Sequence, residues 1–388
     1  MPAKAAAPST HPVPHLIMLL DMDGVLIATG GYHLALRHTV RHIGAALGYH
    51  PIDISPADID VFEAVGLARE WDSGCLCVAS LLRQALTRYP EASLPAQPPL
   101  PQLRLHDLPT PDFQSLAWAL AALNPPPDMP LKVAPALFAD GTPPEHRKVI
   151  DQVLLNSLDV RQSLVHRMIQ EYNLGSRLFS ECYHLPSSLN TPSYLLVYDK
   201  PAVSPGMASR LEAWSNTPGQ QAVIVTNRPS MPPAEFPGTP EDELGMQVLG
   251  NPSIPIVGSG GLTWLGSVYG LGSQAMLKPS PVHALAGLQV ALGSGLRPAL
   301  ERAAKLAIDG EVHPSWKALS GARVMVVEDS ANGIGSAGAA GRTLRKAGIE
   351  FELALYGVTE SAAKKQALER RGARVFAKAE NALQALLS

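Results

Sequence analysis

Hydrophobic positions fall into two regimes along this chain. Short unbroken apolar runs mark the first residues and the C-terminal half, whereas 3.6-residue periodicity prevails between them. The run LIMLL at 16–20 has no polar position to turn toward water. It therefore predicts a strand covered on both faces, the kind found in parallel sheets flanked by helices. Similar runs at 194–198, 222–225, 321–327, 352–358 and 373–377 predict further strands. Helical patterns lie between them at 204–214, 280–292, 298–308, 332–347, 361–371 and 380–387. Strand alternating with helix argues a parallel α/β sheet with right-handed crossovers.

The region after the first strand reads as helices. Leu34, Leu36, Val40, Ile43 and Leu47 lie at helical spacing and predict an amphipathic helix over 32–47. Ser55-Pro56-Ala57-Asp58 is an N-cap with proline at the first helical position, and further helices are expected at 75–89, near 113–123 and across 145–178, with Leu174-Gly175 as a helix end. Prolines crowd 90–130, in SLPAQPPLPQL and LNPPPDMP, which blocks helix and central strand and predicts an extended insertion or linker. A PxxP ligand for a partner protein is the alternative reading of that segment.

The chemistry gathers where apolar runs stop. In open sheets of this kind ligands bind beyond the carboxyl ends of the strands. The first run ends in Asp21 and Asp23, with Gly24 allowing a sharp turn beneath them. The run at 222–225 leads into Thr226-Asn227-Arg228-Pro229, Met276-Leu277 into Lys278-Pro279-Ser280-Pro281, and 324–327 into Glu328-Asp329-Ser330-Ala331-Asn332-Gly333. Singly, these admit plain readings: two solvated aspartates in a turn, a surface lysine, and an acidic pair capping the helix at Asn332. Together they can hold a hard cation such as Mg2+. Asp21 and Asp329 offer carboxylates, Asp23 its main-chain carbonyl, and Glu328 a direct or water-borne contact. Thr226 and the amides after it can hold phosphate oxygens at a helix start.

This ordered set resembles the haloacid dehalogenase-like superfamily, over roughly 14–80 and 160–388. DMDGVL, VTNRP, LKPSP and VVEDSANG look most like the subgroup with a helical cap inserted directly after the first motif, as in phosphoglycolate phosphatase and beta-phosphoglucomutase relatives. The resemblance implies a doubly wound, Rossmann-like α/β core with an inserted α-helical cap. Its expected bounds are a flexible tail at 1–14, a core at 15–31 and 186–388, and a cap at 32–185 containing the proline-rich 90–130. It further implies Asp21 as nucleophile, Asp23 as general acid/base, Thr226 as the phosphate-binding hydroxyl and Lys278 as the charge-stabilising lysine. Glu328 and Asp329 match the magnesium-binding pair. Gly24, Asn227 and Arg228 complete the expected phosphate-binding set. The implied activity is Mg2+-dependent hydrolysis of a small phosphorylated metabolite through an aspartyl-phosphate. A phosphomutase shares every one of these residues, and a binding or scaffold protein using the proline-rich segment is the reading from another class. The chain departs from the pattern in Ala28-Thr29-Gly30-Gly31, where a small hydroxyl or acidic residue is common, and in a long segment at 229–275 rich in Gly and Pro.

Composition narrows the field further. With 388 residues the chain exceeds one ordinary domain, so two are expected. Hydrophobic residues at 46% and charged residues at 17% suit a globular chain with a core rather than a disordered one. A formal charge of −3 gives no electrostatic case for nucleic acid. Cys75, Cys77 and Cys182 are too few for a disulfide framework, which fits a reducing compartment. No run of about 18 apolar residues suggests a membrane span, and a cytoplasmic location is expected, with organellar import left open. In the expected cap, Tyr32, His33, Arg37, Glu63 and Arg69 near Trp71 could meet substrate or form a solvated face. The Gly258-Ser259-Gly260-Gly261 stretch reads as a flexible loop, and no zinc site is expected from the histidines.

Overall fold

The computed structural model describes residues 15–49, 51–67, 69–91, 108–126, 129–272 and 274–387. The expected tail at 1–14 lies outside these, as do 92–107 and 127–128 of the proline-rich segment. Two compact units emerge, one from the described residues of Met1–Ala28 and Asp199–Ser388 and one from those of Thr29–Tyr198. The division falls at Thr29 and Tyr198, where the sequence suggested 32 and 185.

The inserted unit is helical. In order come α1 (Gly31–Ala46), α2 (Pro56–Ala64), α3 (Glu70–Arg88), α4 (Phe113–Ala122), α5 (Pro144–Leu155), α6 (Leu164–Leu174), α7 (Ser176–Tyr183) and α8 (Tyr194–Tyr198), with a 3-10 stretch at Pro130–Phe138. Leu36, Val40 and Ile43 on α1, Leu76 and Leu82 on α3 and Ile169 on α6 share one buried core. Each such side chain contributes about 1.5–3 kcal/mol by leaving water. Ser55 caps α2 as expected: its Oγ accepts the Asp58 N–H at 3.2 Å, and Asp58 Oδ2 accepts the Ser55 N–H at 2.8 Å. Cys75 and Cys77 are buried and Cys182 is half-buried.

One expected strand is a helix. Tyr194–Tyr198 forms α8, with Tyr194 and Leu195 buried and the following three residues largely exposed. Ser193 starts it, accepting the Leu196 N–H on Oγ and the Val197 N–H on its carbonyl. Five apolar residues are too few for periodicity to separate helix from strand.

The core unit carries the sheet. Its strands are β1 (Leu16–Leu20), β2 (Ile27–Ala28), β3 (Lys200–Pro201), β4 (Gln220–Val225), β5 (Ile256–Val257), β6 (Arg323–Glu328), β7 (Glu352–Val358) and β8 (Arg374–Phe376). Six of them form a parallel sheet in the order β5-β4-β1-β6-β7-β8, while β2 and β3 make a separate antiparallel pair. Its helices are α9 (Pro205–Ser215), α10 (Glu241–Val248), α11 (Ser259–Val268), α12 (Pro281–Ala291), α13 (Leu296–Ala304), α14 (Ala331–Lys346), α15 (Ala362–Glu369) and α16 (Ala379–Leu386). Alternate residues of the central strands serve opposite faces. Ile17, Leu19, Val223, Val225, Val324 and Val326 pack with residues of α12 and α14, and Met18, Leu20, Ile224 and Val327 with residues of α9 and α16. That two-sided burial is why the runs contain no polar position.

The expected flexible loop at Gly258–Gly261 is instead the buried start of α11. A Cβ on Gly260 would collide with the Ser230 carbonyl, so glycine there serves a close approach of two chain segments.

Candidate active site

Register brings the motifs together. Leu20 lies opposite Ile224 on β4 and Val327 on β6, so Asp21, Thr226 and Glu328 emerge at one edge of the sheet. Beyond Leu20 the Asp21 N–H still bonds the Val327 carbonyl, at 3.0 Å, and the Thr226 N–H bonds that of Val257. The chain runs outward from β1 to β4 and β5 on one side and reappears as β6 on the other, so this edge is a topological switch point.

Lys278 stands just ahead of α12 and is buried among carboxylates. Its Nζ donates to Asp21 Oδ1 at 2.8 Å and to Glu328 Oε1 at 2.5 Å. Burial alone would lower its pKa, but Asp21 and Glu328 outweigh burial and hold the ammonium above its ordinary range. Asp329 completes a group in which Asp21, Glu328 and Asp329 each place a carboxylate oxygen within 4.8 Å of the others. Burial and then the Asp21 charge push Glu328 up to about 8 and Asp329 up to about 7. Lys364 reaches Asp329 only at 3.6 Å and from a half-exposed position.

These residues fit a hard divalent cation. Three carboxylates face one buried ammonium, and the donors are all oxygens, as Mg2+ requires. Two glycines keep the space clear. Gly24, at φ +74°, would place a Cβ 2.5 Å from Asp329 Oδ2, and a Cβ on Gly333 would fall on the Glu328 carboxyl. The Asp23 carboxylate is not one of this group; it bonds Arg228.

Asp23 belongs to a second charged corner. Arg228 Nε lies 2.9 and 3.0 Å from the two Asp23 oxygens and Nη2 lies 2.6 Å from Oδ1. The same Nη2 reaches Asp199 Oδ2 at 2.7 Å. Burial raises the Asp23 pKa, with Arg228 opposing and Asp21 adding to the rise. Arg228 was expected to hold phosphate, yet its side chain is 1% exposed and is drawn to these carboxylates. Asp199 was missed altogether. Its signal, an acid directly after an apolar run, matches that of Asp21, but the run before it is α8.

Thr226 is buried, and its Oγ1 accepts the Arg228 N–H at 3.1 Å, while Asn227 is exposed. The candidates in the inserted unit are engaged within it. His33 meets Glu63 at 3.3 Å, Arg37 meets Asp53 at 2.6 Å, and Arg69 meets Asp72 at 2.6 Å; Trp71 stacks on His166 at 4.7 Å. Tyr32 is buried.

No family model matches the chain, and no curated protein does. Among solved structures it resembles the X-ray structure of Northeast Structural Genomics Consortium target ZR25, with a TM-score of 0.61 and 17% identity over 96% of this chain and 98% of that one. A second structure, Phosphatase Tt82 from Thermococcus thioreducens, aligns at a TM-score of 0.43 and 15% identity, covering 91% and 99%. The first likeness shows a shared fold along nearly the whole chain. Among the described residues no helix is long and apolar enough to cross a membrane.

Proposed function

We propose that this chain is a magnesium-dependent phosphatase of the haloacid dehalogenase-like type, hydrolysing a small phosphorylated metabolite through phosphorylated Asp21. The observation that carries this reading is the meeting of Asp21, Lys278 and Glu328, from three distant segments, within hydrogen-bond distance at one sheet edge. Asp21, Glu328 and Asp329 would hold the ion, which when bound neutralises phosphate charge that would otherwise repel a carboxylate nucleophile.

The chain's own groups supply the rest. An Asp21 carboxylate oxygen forms a bond to phosphorus as the bond to the leaving oxygen breaks, and Asp23 gives that oxygen a proton. Water then attacks the aspartyl-phosphate, Asp23 takes its proton, and Asp21 is released with inorganic phosphate. Lys278 fixes one Asp21 oxygen and brings positive charge to the oxygens that gather charge in the transition state. Thr226 accepts a main-chain N–H and so keeps its hydroxyl hydrogen for a phosphate oxygen.

A phosphate-release screen over sugar phosphates, phosphoglycolate, nucleotides and a nitroaryl phosphate, with and without Mg2+, tests this. Turnover is expected on at least one ester, abolished by EDTA and blocked by Ca2+, whose larger size and looser coordination disturb in-line geometry. Undiminished turnover in metal-free buffer would contradict the roles of the three carboxylates, and no release from any ester would overturn the reading.

A further inference from the structure

Resting on the phosphatase reading, we infer that Asp199 is a positioning residue which aims the Asp23 carboxylate through Arg228. Asp199 is the first residue of the core unit after the insert, and its side chain is wholly buried. Arg228 is buried beside it, with Nη2 donating to both carboxylates, 2.7 Å to Asp199 and 2.6 Å to Asp23. A guanidinium is a rigid planar fork, so the oxygen that fixes one of its edges fixes the plane in which the other carboxylate must lie.

The rest of Arg228 is held as firmly. Its N–H bonds Thr226 Oγ1 at 3.1 Å and its carbonyl accepts the Ser259 N–H at 2.9 Å. On α10, a Cβ on Gly245 would stand 3.1 Å from Nη1, so the absent side chain leaves room for the guanidinium. Asp23 differs from the other two in keeping 32% of its side chain open. It is the member of the trio that can meet substrate.

Charge neutralisation alone does not account for Asp199. Asp23 already balances the guanidinium, and a second buried carboxylate adds desolvation cost. What the second carboxylate does add is direction. Nε and Nη2 are committed to carboxylates, which sets Arg228 to hold Asp23 rather than a phosphate.

Leaving groups separate these roles. An alkyl phosphate needs a proton on its departing oxygen, whereas a nitroaryl phosphate departs as a stable anion without one. Asp199→Asn, which keeps the shape and loses the charge, is expected to lower kcat/KM about 30-fold or more on the alkyl ester. On the nitroaryl ester the loss is expected to stay under about threefold, since well-placed general acids contribute about 10²–10⁴-fold. Equal losses on the two esters, or none on either, in a folded variant would overturn the inference. Should Asp199→Asn fail to fold, Arg228→Lys, which replaces the fork by a point charge, must show the same split, and equal losses there overturn the inference too. Absence of turnover by the wild-type protein on every ester overturns the phosphatase reading and this inference with it. A uniform loss in the variants overturns the inference alone.

Discussion

The two charged corners at the sheet edge use the same ingredients to opposite ends. Around Lys278, three carboxylates share one buried ammonium, and burial, followed by the Asp21 charge, raises Glu328 and Asp329 well above the ordinary carboxyl range. Around Arg228, two carboxylates grip a forked guanidinium through short bonds that define angles as well as distances. Lysine is a compact charge with rotatable donors; arginine is a planar one. The first corner is therefore compatible with a further cation, and the second suits a fixed direction.

Removing a carboxylate should break the comparison most sharply at Asp21. Asp21→Asn keeps the shape but cannot attack phosphorus, so turnover is expected to fall by about 10⁴-fold or more, worth about 5 kcal/mol of barrier. The Asp21 charge also contributes to the raised Glu328 and Asp329 values, so its loss relieves repulsion in the metal-free protein. The melting temperature without metal should hold or rise. Steady-state kinetics and thermal denaturation check both halves, and retention of more than about a hundredth of the wild-type rate would remove Asp21 as nucleophile.

How far the sequence revealed this arrangement depended on the range of the signal. Strands buried on both faces announce themselves as apolar runs, and the acids after β1 and β6 sit where open-sheet geometry puts ligands. The Lys278 corner was legible because its acids follow such runs and Lys278 stands three residues before the proline that starts α12. The Arg228 corner was not. Arg228 looked like a phosphate ligand because it follows Thr226, and only the fold brings Asp23 and Asp199 to it across long sequence separations. Tyr194–Tyr198 failed for the converse reason: five apolar residues carry no periodicity, and Ser193, a serviceable N-cap, was the cue that outweighed them. In the Gly/Pro-rich 229–275 stretch, α10 and α11 went unread because their glycines, Gly245 and Gly260, meet neighbouring segments rather than marking turns.

Acidity offers a milder probe of the Lys278 corner. Glu328 and Asp329 are raised in the folded, metal-free state, so their contribution to stability is fully present below the ordinary carboxyl range and is lost as pH rises through about 7 to 8. The metal-free protein should lose thermal stability between about pH 5 and 8 from this source. Mg2+ binding must displace the protons that remain, so its stabilisation should grow over the same interval, approaching about 2.7 kcal/mol at a hundredfold excess over Kd. Calorimetry at pH 7 in buffers of different ionisation enthalpy should register proton release. A Mg2+-induced shift in melting temperature that is equal at pH 5 and pH 8 would refute the charge deficit assigned to this corner.

The smallest expected effect separates helix capping from service to the site. Ser330 Oγ accepts the Gly333 N–H at 3.0 Å, which caps α14, and also donates to Glu328 Oε2 at 3.3 Å. Ser204 caps α9 in the same manner, accepting the Met207 N–H at 3.2 Å, but its hydroxyl donates to Glu380, a carboxylate outside the site. Both serines lose a cap on substitution by alanine, so Ser330→Ala and Ser204→Ala should each cost about 1 kcal/mol in denaturant unfolding. Only Ser330→Ala also removes a donor from a proposed Mg2+ ligand. Lys278 stays within 2.5 Å of Glu328 and keeps the carboxylate roughly in place, so Mg2+ affinity should weaken by no more than about threefold, some 0.6 kcal/mol. Titration of Mg2+ into the two variants tests this directly. Equal affinities would mean that Ser330 serves the helix alone and that Lys278 suffices to orient Glu328.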